Sequence, residues 1–212
     1  MNYDEKYFNE LDTGKEISEI KDMLDENEEI LWQGKPNKKS YVLSNFLKML
    51  PIALIWLCFD GFFIAMLIST SSEIGGYIWF FILFFAFHLT PVWIWIGNFV
   101  RSIVEIKNIE YAVTNKKIII KSGVVGINFK VFLYSEVTGV FIKRGFIDKY
   151  FKVGDIYINT TSQKGVIYDV DNPYQVYKLL QQTSNDIKSD IYYPNALRPE
   201  ENSGYNTKYR RK

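Results

Sequence analysis

The sequence predicts an α+β membrane protein: a two-helix transmembrane hairpin, then a small β-sandwich or barrel closed by a C-terminal α-helix. Three observations carry this. Two long apolar stretches stand close together, at residues 46–68 and 77–100. From about residue 109 the all-round apolar character gives way to alternation of apolar and polar residues, the period of a half-buried strand. A segment near residue 172 then returns to helical spacing.

Length decides what the apolar stretches mean. FLKMLPIALIWLCFDGFFIAMLI and YIWFFILFFAFHLTPVWIWIGNFV are each roughly two dozen residues, which as helices reach about 35 Å and clear a hydrocarbon core of about 30 Å. Apolar residues cover every face, so a helix buried in a soluble core is the poorer reading. Pro51 stands near the start of the first span and Pro91 inside the second, where a kink is expected. Trp79, Trp93 and Trp95 stand toward the ends of the second span, as interfacial aromatics do. Lys35, Lys38, Lys39 and Lys48 precede the first span, Arg101 and Lys107 follow the second, and the connecting STSSEIGG has no base. The positive-inside rule therefore expects a two-span protein of the cell membrane with both termini cytoplasmic.

The formal net charge of +1 conceals segregation. Residues 1–30 carry three lysines against eleven acids, whereas residues 101–182 carry twelve bases against seven acids. A mildly basic body suits an anionic bilayer and is far too weak to indicate nucleic acid. A lone cysteine, Cys58, excludes an intramolecular disulfide, and one His beside it cannot make an all-His/Cys metal site. No cofactor is expected.

Downstream of the spans, IEYAVTNKKIIIKSG reads as two strands about a turn at Asn115-Lys116. Further strand-like runs follow as FKVFLY, VTGVFIKRG, GDIYINT and GVIYDV. Asn172 as N-cap and Pro173 at the first helical position open a helix whose apolar stripe is Val176, Leu179 and Leu180. The domain limits expected are an acidic segment with an amphipathic helix at 1–45, the hairpin at 46–100, the strand domain at 101–188 and a disordered polar tail at 189–212. RSIVEIKN, a linker of about eight residues, would hold the domain within about 30 Å of the bilayer.

These segments carry a family resemblance. EEILWQGKPNKKSYV at 28–42, YAVTNKKIIIKSG at 111–123, FIDKYFKVGDIYINT at 146–160 and DNPYQVYKLL at 171–180 resemble, in that order around the two spans, the motifs of membrane-bound bacterial PH (pleckstrin-homology) domains of the YdbS-like family. The resemblance implies a PH-like β-sandwich or barrel, commonly membrane-embedded, with no general enzymatic activity. Inositol-phosphate-binding PH domains carry a basic loop followed by K/R-x-R. Here Lys116 and Lys117 occupy the corresponding turn but no K/R-x-R follows, so that ligand does not carry over.

Two groups of residues stand out as candidate sites. Lys143, Arg144, Lys149 and Lys152 are interleaved with Phe141, Phe146, Tyr150 and Phe151. They read either as a surface resting on anionic headgroups or partners, centred on the four bases with Phe146 and Phe151, or as a strand corner with core aromatics and solvated bases. Asp60 and His88 are the ionisable groups deep in the spans, at similar depth, and read as an intramembrane polar pair or as a functional proton-sensitive contact. Ile17, Ile20 and Leu24 form an amphipathic stripe in the acidic head that would dock on a basic partner, the strand domain included. No Ser or Cys nucleophile has a plausible His partner, and no glycine-rich phosphate loop is present.

The expectation is a non-enzymatic integral membrane protein presenting a cytoplasmic PH-like module for protein recruitment or anionic-lipid sensing. Its partners would be membrane lipids and a protein or a second copy. The alternatives are a structural subunit of a larger membrane complex, and a transporter or enzyme built on Asp60 and His88.

Overall fold

The computed structural model describes residues 19–69 and 78–192. Most of the predicted connecting loop, Ile17 of the acidic head and the tail beyond residue 192 lie outside the described residues. Two antiparallel sheets make up the strand domain. The first has order β1-β2-β3-β4, from β1 (Ile30–Gly34), β2 (Glu110–Thr114), β3 (Lys117–Ser122) and β4 (Asn128–Leu133). The second has order β5-β6-β7, from β5 (Val137–Lys143), β6 (Val153–Thr160) and β7 (Lys164–Asp171).

Alternation sets which residues face inward. Tyr111 and Val113 on β2, Ile118 and Ile120 on β3, and Phe132 on β4 enter one core with Ile156, Ile158, Ile167 and Val170 of the second sheet. Ala112 and Ile119 point to the other face of the first sheet, where Ile20 covers them. The β2–β3 turn is closed by a side chain: the Thr114 hydroxyl accepts the amides of Lys116 and Lys117 at 3.1 and 2.9 Å. A close approach is built in at Gly165, where a Cβ would stand 2.4 Å from the Phe132 ring.

Four features depart from the sequence reading. First, ILWQG within the 28–42 motif is a strand. Gly34 pairs opposite Tyr111 and Trp32 opposite Val113, so every apolar helix is inserted between the first two strands of one sheet. The β2–β3 hairpin is thus not where the domain's strands begin.

Second, the first long helix, α1 (Lys38–Ser69), begins well before its apolar stretch. Asn37 caps it, its side-chain oxygen accepting the Ser40 amide at 3.3 Å. Pro51 therefore lies in the helix interior rather than near its start.

Third, the second apolar stretch is two helices, α2 (Ile78–His88) and α3 (Thr90–Glu105). Pro91 breaks the helix because it lacks an N–H and its ring clashes with the preceding turn. The freed carbonyls find other donors: Thr90 Oγ1 donates to Phe87 O and the Trp93 indole N–H to Ala86 O at 3.1 Å. One helix, α1, is long and apolar enough to cross a membrane alone; α2 and α3 pass that test only as a pair bent by 52°. Helix α3 continues through much of RSIVEIKN, so the predicted linker is largely helical.

Fourth, the closing helix, α5 (Pro173–Tyr192), opens at Asn172 in the left-handed conformation, φ 51°, rather than as an extended N-cap. It covers the core with Val176 and Leu180, and Leu179 packs at its margin. Between β5 and β6 lies a short helix, α4 (Phe146–Phe151), packed against α1.

Candidate functional site

Pairing fixes which loops share an end. Since Gly34 lies opposite Tyr111, the chain leaves β1 for the apolar helices and re-enters β2 at the same end of the first sheet. The β3–β4 turn shares that end, because Glu110 pairs with Lys121 and Ser122 with Asn128. The β2–β3 turn is at the opposite end.

The second sheet meets the start of α1 around Asp169. The Asn37 amide donates to Asp169 O at 2.8 Å, Ser40 Oγ donates to the Asp169 carboxyl, and Tyr41 meets the Tyr168 ring edge-on at 6.1 Å. Asp169 has a positive φ of 50°, and its amide donates to Asp155 Oδ1 at 2.9 Å. Burial first, opposed by the Ser40 hydrogen bond and reinforced by Asp155 and Asp148, pushes its carboxyl up to about 7. Burial raises Asp155 as well.

Of the basic and aromatic residues singled out in the sequence, Phe146, Lys149, Tyr150 and Phe151 lie on α4, Arg144 and Lys152 flank it, and Phe141 and Lys143 are on β5, where Phe141 stacks on Tyr157 at 4.9 Å. Lys143, Lys149 and Lys152 are exposed, Phe146 is 90% exposed and Tyr150 78%. Phe151 is half-buried, its ring edge-on to Tyr150 at 5.1 Å. Arg144 is engaged differently: its Nε donates to Val153 O at 2.7 Å and its guanidinium lies 5.7 Å over the Tyr174 ring. It braces the β5–β6 connection, leaving three lysines with the aromatics on the surface. The buried Asp148 carboxylate accepts the Gly145 amide at 2.6 Å and starts the helix.

Asp60 and His88 meet, His88 Nδ1 lying 2.8 Å from Asp60 Oδ1. The Asp60 side chain is 2% exposed and the histidine ring stacks on Phe84 at 5.2 Å. Asp60 Oδ2 is buried with no hydrogen-bond partner among the described residues. The pair joins α1 to the end of α2, at the break that Pro91 creates.

The turn lysines are already occupied. Lys117 Nζ lies 3.2 Å from Glu28 and 3.3 Å from Asp25, and Lys116 Nζ donates to Glu26 O at 3.0 Å. Glu28 also accepts the Thr114 hydroxyl at 2.6 Å. The acidic segment, held by Ile20 on the sheet, thus neutralises the turn farthest from the apolar helices.

Sequence reasoning missed two parts of the helix-side surface. One is the Asn37/Ser40–Asp169 junction, formed by residues far apart in the chain. The other is the turn GVVGI, whose two valines and one isoleucine in a glycine-bounded loop were a signal available from the start.

A family model described as Bacterial PH domain matches residues 51–184. The chain belongs to the bacterial PH domain family. The matched region takes in most of α1 and runs into α5, while β1 precedes it. A crystal structure of a DUF1696 family protein with a pleckstrin-homology domain, from Shewanella loihica PV-4, is similar at 17% identity. That match covers 38% of this chain and 71% of the other, with a TM-score of 0.29. No curated protein matches this bacterial PH domain chain.

Proposed function

We propose that this bacterial PH domain protein is a non-enzymatic integral membrane protein whose PH-like domain recognises the anionic surface of the membrane that holds it. In this reading residues 46–68 and 77–100 both cross the bilayer, the second as the bent α2–α3 pair, and both termini are cytoplasmic. The motif order from residue 28 supports reading it as a YdbS-like member.

The observation that carries the proposal is the insertion of the apolar helices between β1 and β2. Two covalent connections, the Asp169 junction and the α4–α1 contact turn one end of the domain toward those helices. Helix α4 then offers lysines and exposed aromatics where α1 emerges, each base contributing about 1 kcal/mol near an anionic leaflet. Exposed rings of this kind suit an interface where one side is apolar and the other wet.

The test is hydrogen exchange of the full-length protein in nanodiscs of phosphatidylcholine alone or with added phosphatidylglycerol. Residues 143–152 are expected to be protected in the anionic discs, and the Lys143→Ala/Lys149→Ala/Lys152→Ala variant to lose that protection. Equal exchange in both lipids would remove lipid recognition and leave protein recruitment as the role of this surface.

A further inference from the structure

The β3–β4 turn, residues 123–127, is apolar where a soluble domain would place polar turn residues. Val125 is fully exposed at 101% and Ile127 is 42% exposed. The turn is held in place rather than left loose. Asn108 Nδ2 donates to Gly123 O at 3.0 Å, and Gly123 has φ 147°, with room for no Cβ because Gly126 O would lie 1.8 Å away. Val124 and Val125 line a cleft with Arg101 and Glu105 of α3. Arg101 is the first charged residue after the second apolar stretch, so the turn reaches back to the level at which that stretch ends. Exposed bases flank it: Lys107 and Arg101 on the helix side, the latter also paired with Glu105 at 3.6 Å, and Lys130 on β4.

We infer that the β3–β4 turn is a second membrane contact, a wedge that carries Val125 and Ile127 into the headgroup region of the anionic bilayer. The inference rests on the membrane reading above and adds a site separate from α4. Apolar tips flanked by bases suit that occupant because the interface takes the side chains while anionic headgroups meet the bases. With the hairpin between β1 and β2, the β3–β4 turn on one side and α4 on the other, the domain would rest on three points rather than swing about a tether.

Three single-cysteine versions of the full chain test this, each labelled with an environment-sensitive fluorophore and reconstituted in phosphatidylcholine–phosphatidylglycerol liposomes. One uses the native Cys58, which is exposed on α1. The others are Val125→Cys and Glu26→Cys, each in a Cys58→Ala background; Glu26 lies at the far end of the domain and is exposed. Lipids carrying nitroxide on the upper acyl chain are expected to quench the probes at 58 and 125 and not at 26, with blue-shifted emission at 125. Quenching at 58 but aqueous iodide quenching at 125 would overturn the wedge and leave the hairpin intact. Absence of lipid quenching at 58 would overturn the membrane reading and the wedge with it. Val125 has no packing to lose, so labelling there does not disturb the core.

Discussion

Asp169 concentrates several costs in one residue. It is buried, its backbone is left-handed, and it lies beside a second carboxylate, Asp155 on β6. Its folded-state value near 7 exceeds the ordinary 3.8, so between about pH 4 and 7 the folded protein keeps a proton that the unfolded chain has released. Stability contributed by this group is therefore present below that window and lost as pH rises through it. Thermal unfolding of the detergent-solubilised protein is expected to show a melting temperature falling across the window. Asp169→Asn should flatten most of that fall, since asparagine tolerates the left-handed backbone and keeps an acceptor for Ser40. At Gly165 the conflict is steric. Gly165→Ala is expected to cost about 1–3 kcal/mol in urea unfolding, because the Phe132 ring opposite is fully buried and has no room to withdraw.

At the level of elements, the Asp60–His88 contact is a device for joining two helices at a break. Removing one partner and removing both are different experiments. His88→Ala strands a buried carboxylate, and is expected to destabilise the hairpin by about 3–5 kcal/mol in a steric-trapping measurement. Asp60→Leu with His88→Leu should cost much less, since an apolar pair leaves no unpaired charge. A double variant as damaging as His88→Ala would argue that the pair does more than hold α1 to α2. The strands from β2 to β7 and α5 were legible in the sequence, because alternation, turn residues and an apolar stripe are local signals. The break between α2 and α3 was legible as a kink at Pro91. Its angle was not, because that depends on which donors satisfy the carbonyls of Ala86 and Phe87.

For the whole molecule the governing fact is that the apolar helices separate β1 along the chain from the strand it pairs with. A fragment such as 105–192 lacks β1 and exposes the edge of β2, a template for intermolecular pairing. It is expected to be poorly soluble, and a synthetic peptide of residues 19–37 added during refolding should restore a soluble complex by supplying β1 together with Ile20, Asp25 and Glu28. A soluble, cooperatively unfolding 105–192 fragment with no peptide added would show that β1 is dispensable. Mutating the salt-bridge partners Asp25 and Glu28 to Ala in the peptide should weaken the complex without abolishing it, since the strand ladder and Ile20 remain.

Local pattern alone determined that the chain is segregated into apolar helices and a strand domain. Burial of an all-apolar surface and alternation across a pleat are written in consecutive residues. The lysine-aromatic character of α4 was also written there, though not that Arg144 is taken up by Val153 O and Tyr174 while its lysine neighbours stay exposed. Tertiary structure decided the rest. Pairing of Gly34 with Tyr111 joins residues separated by both apolar stretches, and a five-residue strand carries too little local signal to announce such a partner. That one pairing decides which turns lie beside the helices, placing GVVGI there and sending Lys116 and Lys117 to the far end to meet the chain's own acids.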